Sequence, residues 1–210
     1  SIPYPPPHPN GTWDGYQKFT AGFYASAKSV EQNNAAIKRI VERKNSISQV
    51  NYKEDPTIMA WELCNEPRGI DKVEIFNEWI DNTAGFIKSL DSKHLVTTGA
   101  EGYTPSPETA GTDFIKMHDG KNIDYTTAHI WIQNWGWYDP QKHDSTYAGA
   151  KEKMMAYLAR HAAESKQLGK PFVLEEFGIM KDEGEFEPTA TTRNRDTYYQ
   201  AVFDGVWSLV

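Results

Sequence analysis

Two glutamates close apolar runs in strings that read as strands: Ile58-Met-Ala-Trp-Glu-Leu-Cys-Asn-Glu66-Pro67 and Pro171-Phe-Val-Leu-Glu-Glu176-Phe-Gly178. An apolar run that ends in a carboxylate and then Pro or Gly reads as a buried parallel strand whose C-terminal tip projects an acid into a cleft. A pair of carboxylates at such tips is equipped to cleave a glycosidic bond: one protonates the departing oxygen, and the other attacks the sugar carbon or activates water. A charge at the end of an apolar strand is costly without a purpose, which separates Glu66 and Glu176 from the many acids expected on the surface. Strict alternation puts Glu62 on the same face as Glu66 and turns Glu175 away from Glu176, towards the helices. Both are then hydrogen-bonded structural acids, or the strand ends irregularly.

The elements that position these acids follow from periodicity. Residues 1 to about 20, with Pro3, Pro5, Pro6, Pro7 and Pro9, favour extended loop. Helical spacing predicts helices over about 26–46, 72–90, 113–118, 147–167 and 191–209, the last capped by Thr191 or Thr192. Strands are expected at about 57–65, 94–99, 124–131 and 172–177. Alternating strands and helices imply a parallel sheet covered by helices. Strand starts separated by roughly 30 to 45 residues approach the ~31 per unit of an eight-unit (β/α)8 barrel of ~250 residues. The chain therefore reads as one part of a single α/β barrel domain over residues 1–210, carrying strands four to seven.

Composition narrows the class. With 39% hydrophobic and 24% charged residues the chain can build a core, and no apolar run is long enough to span a membrane. The 29 acidic against 22 basic residues, a formal charge of −7, argue against nucleic acid or anionic lipid as partners. Trp131, Trp135 and Trp137 cluster outside the regular elements, either filling gaps over the core or offering flat platforms to sugar rings. A lone Cys64 cannot make an internal disulfide and is expected as a buried packing residue. No metal or other cofactor is expected, because the six histidines lack ligand spacing and no phosphate-binding loop is present. The acidic run Asp182-Glu183-Gly-Glu185-Phe-Glu187 has calcium-ligand chemistry, but a solvated loop is the expected state. No signal peptide is read at the start, and Asn10-Gly11-Thr12, a glycosylation sequon, also reads as a turn.

The strings Ala60-Trp61-Glu62-Leu63-Cys64-Asn65-Glu66-Pro67-Arg68, His129-Ile130-Trp131 and Leu174-Glu175-Glu176-Phe177-Gly178 resemble glycoside hydrolase family 5, nearest its endo-β-1,4-mannanase branch, over about residues 20–210. The resemblance implies a retaining hydrolase with Glu66 as general acid and base and Glu176 as nucleophile. It also implies that Asn65 bonds the sugar 2-hydroxyl, that His129 is the active-site histidine and that Arg68 lies near the leaving-group subsites. Trp131 departs from the family, which commonly has Tyr there, its hydroxyl bonded to the nucleophile. Trp135 and Trp137 fall on the following loop, where sugar platforms occur. An early-strand arginine, a histidine after the third strand and a tryptophan ending the last strand are expected outside Ser1 to Val210, together with the remaining barrel strands. The implied substrate is β-mannan or a related β-1,4-linked polysaccharide, which places the protein outside the cell or in a periplasm. The alternatives are another family 5 glycanase, such as a cellulase, and a non-catalytic carbohydrate-binding relative.

Overall fold

A computed structural model describes residues 12–209. They form two compact units, with the boundary between Thr126 and Thr127. Among the described residues no helix is long and apolar enough to cross a membrane.

The first unit opens with helix α1 (Trp13–Ala21), where extended loop is expected from the nearby prolines. Those prolines end at Pro9, and the part of the loop reading that covers residues 1–11 lies outside the described residues. From Thr12 onward local chemistry favours a helix: the Thr12 hydroxyl accepts the Gly15 N–H at 3.2 Å, and Asp14 sits in the first turn. Helix α2 (Ala27–Val41) is capped by Ser26. Strand β1 spans only Ala60–Glu62, shorter than the apolar run, because Asp55 folds its entrance into a turn. The Asp55 carboxylate accepts both the N–H and the hydroxyl of Thr57, at 3.0 and 2.7 Å.

Helix α3 (Val73–Leu90) buries Phe76, Trp79, Ile80, Thr83, Ala84 and Ile87, a stripe at helical spacing. That stripe joins Val96 and Ala100 in the core, with Phe23 packed edge-on against Trp79 and Tyr24 tilted against Phe76. Strand β2 (Leu95–Thr97) pairs with β1 in parallel, Ala60 opposite Leu95 and Glu62 opposite Thr97. Beyond it come the short helices α4 (Pro107–Ala110), not foreseen from periodicity, and α5 (Phe114–His118), capped by Asp113. The chain then returns alongside β2: the Asp124 N–H donates to Val96 O at 2.8 Å, and the Thr97 hydroxyl to Tyr125 O at 2.8 Å.

In the second unit, strand β3 (Thr126–Ile130) is buried along its length and pairs with β4 (Phe172–Phe177). Between them runs α6 (His143–Leu168), which stops at Gly169 in a left-handed conformation. Helix α7 (Arg193–Trp207) follows. Neither Thr191 nor Thr192 caps it by side chain; that task falls to Asp182, whose carboxylate accepts the N–H groups of Arg193 and Asn194 at 3.0 and 2.9 Å. Burial would push the Asp182 carboxyl up, but bonds from the Thr191 hydroxyl and these amides outweigh it and hold it below its ordinary value. The first acid of the 182–187 run is thus a helix cap.

Candidate active site

In the first unit the chain leaves β1 irregularly. The Leu63 N–H still donates to Thr97 O at 3.1 Å and the Glu66 N–H to Gly99 O at 2.9 Å, so the segment stays pinned along the edge of β2 after the regular ladder ends. Glu66 itself has φ 49°, left-handed for a non-glycine residue, which breaks strand alternation and re-aims its side chain. Gly99 makes the close approach possible, since at φ 70° a Cβ there would lie 2.2 Å from the Cys64 carbonyl oxygen. The same construction places the Glu62 carboxylate beside Gly99, and Glu62 is exposed.

Cys64 is exposed, contrary to its expected burial. The strand has already ended at Glu62, so Cys64 lies in the bend, where it lines a cavity of about 790 Å³ together with Phe23, Tyr24, Leu63 and Trp79. Its neighbour Asn65 is likewise exposed. Arg68 is held by a partner that no local pattern revealed: Nε lies 2.5 Å from one oxygen of Glu101 and Nη2 lies 3.0 Å from the other. Glu101 is only 3% exposed, so the pair is a bidentate clamp with its acid sheltered and its guanidinium partly open. Sequence offered one signal for Glu101, an acid just past the end of β2.

In the second unit His129, 1% exposed, sits one residue before the end of β3. Its carbonyl accepts the Tyr157 hydroxyl at 2.8 Å, and that of Ile130 accepts the Tyr198 hydroxyl at 3.4 Å, so α6 and α7 both anchor the strand end. Burial pushes the Tyr198 phenol well up, which keeps it a neutral donor. The two imidazole nitrogens each face a carboxylate of β4: Nε2 is 3.5 Å from Glu175 and Nδ1 is 3.5 Å from Glu176. Alternation alone turns Glu175 towards the helices. It reaches the same ring as Glu176 instead, because a largely buried carboxylate gains a polar partner there.

Trp131 lies across the end of β4, where a Cβ on Gly178 would come within 3.2 Å of its ring. The ring of Trp135 stands edge-on to Trp137 at 5.0 Å and 5.5 Å from Tyr157, and Lys153 Nζ lies 5.6 Å from the Trp137 centroid. Both indoles are half-buried in loop-to-helix packing. The loops after β3 and β4 are tied together where the Met180 N–H donates to the Gln133 side chain at 3.0 Å.

Each unit therefore presents a glutamate just at or beyond a strand tip, one braced by backbone and one by a buried histidine. Comparison with known proteins gives this arrangement a lineage. Residues 1–210 match the family described as GH family 5 beta-mannosidase-like. A mannan endo-1,4-beta-mannosidase of Arabidopsis thaliana is 35% identical over 187 residues, covering 81% of this chain and 41% of that protein. A glycoside hydrolase family 5 mannosidase from Rhizomucor miehei has a TM-score of 0.84 at 34% identity, covering 100% of this chain and 50% of its own. The endo-1,4-beta-D-mannanase of Thermotoga petrophila gives 0.76 at 27% identity, with 94% and 58% covered. The chain spans about half the length of these relatives, and its strands and helices are those of part of a (β/α)8 barrel. With a family match along residues 1–210 and relatives of 34–35% identity, the chain belongs to glycoside hydrolase family 5, in the β-mannosidase-like group.

Proposed function

We propose that this chain supplies the catalytic half of a retaining endo-hydrolase of β-1,4-linked mannan. The observation that carries the reading is the contact of Glu176, at the tip of β4, with the buried imidazole of His129 at 3.5 Å, in a chain of family 5. An ionised carboxylate on a rigid strand, with a sheltered N–H donor beside it, is built to attack an anomeric carbon. Glu66 protonates the glycosidic oxygen as the bond breaks, and Glu176 forms the covalent glycosyl intermediate. Glu66 then takes a proton from the water that releases it. Retention requires the two carboxyl groups to work about 5–5.5 Å apart.

Asn65, exposed beside Glu66, bonds the 2-hydroxyl of the sugar under attack. Arg68, oriented by Glu101, offers its remaining N–H groups to the leaving-group sugars. The open faces of Trp131, Trp135 and Trp137 stack on sugar rings. The remaining barrel strands come from polypeptide beyond this chain, and the size of the substrate puts the protein outside the cell or in a periplasm.

The test is reducing-sugar release from galactomannan, cellulose, xylan and mannobiose by the complete polypeptide that carries this chain, with Glu176→Ala as control. Release from galactomannan, abolished in the control, is the expected result. Preference for cellulose or xylan would overturn the substrate, and cleavage of mannobiose alone would overturn the endo mode.

A further inference from the structure

We propose that Glu175 is a positioning residue for this reaction, holding the His129 ring by one nitrogen so that the other faces Glu176. The inference rests on the reading above that Glu176 is the nucleophile. Its basis is the contact pair across β3 and β4, in which each ring nitrogen has a carboxylate oxygen at 3.5 Å. The two acids are unequally placed. The Glu175 side chain is 16% exposed and that of Glu176 is 37%, so Glu175 is sheltered beside the ring while Glu176 is the one open to a ligand.

A neutral imidazole carries a single N–H and cannot donate to two carboxylates at once, whereas an imidazolium donates to both. Glu175 thus makes the doubly protonated ring the form that satisfies both neighbours. That form sets a cationic N–H donor beside Glu176. Helices α6 and α7 fix the strand end that carries this ring. Tyr157 on α6 donates to the His129 carbonyl, and Tyr198 on α7 donates to the Ile130 carbonyl.

The experiment follows the ring and the reaction together. In the complete polypeptide, ¹⁵N-histidine NMR reads the protonation of His129 directly, and steady-state kinetics on galactomannan reads its use. In the parent protein both His129 nitrogens are expected to be protonated at neutral pH. In Glu175→Gln the second proton leaves at a pH lower by about one unit, as loss of a neighbouring opposite charge requires. kcat falls about tenfold to a hundredfold with KM within about twofold, the mark of lost positioning rather than lost binding. Glu175→Asp, which keeps the charge on a shorter arm, recovers part of both effects.

A parent protein with only one protonated nitrogen on His129 overturns the proposal. So does a folded Glu175→Gln, or a Glu175→Asp if Gln does not fold, in which His129 titration and kcat match the parent. If the parent polypeptide cleaves no mannan, the functional reading fails by itself, and the NMR arm still decides whether Glu175 holds His129.

Discussion

Replacing Asp91 with Asn tests whether one buried carboxylate seats the strand that leads to Glu66. Asp91 follows α3, with its side chain 1% exposed. It accepts the Trp61 indole N–H of β1 at 2.8 Å, lies 2.6 Å from His94 Nδ1, and accepts the backbone N–H groups of Lys93 and His94 at 2.9 and 3.2 Å. Burial alone would push the carboxyl up, but the bonds from Trp61, Lys93 and His94 outweigh it and bring it from 3.8 down to about 2. That displacement corresponds to about 2 kcal/mol of folding stability. The group ionises more readily in the fold than in the unfolded chain. Its contribution is therefore complete above pH 3.8 and is lost as the pH falls towards 2. Asparagine turns one acceptor oxygen into an NH₂ group facing donors, so the variant should lose at least about 2 kcal/mol at neutral pH. Urea unfolding of parent and variant, read by tryptophan fluorescence, should show that gap between about pH 5 and 7. It should narrow below pH 3.8 and be smallest near pH 2. A gap of equal size at about pH 6 and pH 2.5 would refute the reasoning, because the loss would then owe nothing to the charge.

Burial pushes the His161 imidazole down from 6.5 to about 4, against the lift from its Nδ1 bond to Tyr157 O. Stability should be complete above pH 6.5 and fall by up to about 3 kcal/mol as the pH drops to 4, a decline that melting curves of His161→Phe should lack. Gly99→Ala puts a Cβ 2.2 Å from Cys64 O at φ 70° and should cost about 2 kcal/mol or more. Mannan cleavage should fall further than the stability loss explains, because Glu66 hangs from the Gly99 carbonyl; a variant with parental stability and rate would contradict the geometry.

The parts of the site visible in the sequence are those where a chemical rule acts locally. No Pro or Gly breaks the segment between Phe172 and Gly178, and β4 spans Phe172–Phe177 as expected. The same reasoning overextended β1, because Asp55 turns the entrance and Glu66 adopts a left-handed backbone at the exit. The first is a local turn that a count of apolar residues passes over, the second depends on contact with the Gly99 segment, and Cys64 is exposed within that same bend. Helix α1 was hidden by prolines that stop three residues before its cap. The Arg68 clamp on Glu101 and the Glu175 contact with His129 join segments distant in sequence, so no period or spacing announces them. The aromatic loop was legible only as a choice: Trp135 and Trp137 both pack on α6 and keep part of their faces open.

The most direct test of the central claim is to trap the covalent intermediate. The complete polypeptide would be incubated with 2-deoxy-2-fluoro-β-mannosyl fluoride, digested, and its peptides mapped by mass spectrometry. The account predicts a single fluoromannosyl adduct on Glu176, formed in the parent and absent from Glu176→Gln. An adduct on Glu175 or another residue would contradict it. So would hydrolysis of mannan with inverted anomeric configuration and no adduct at all.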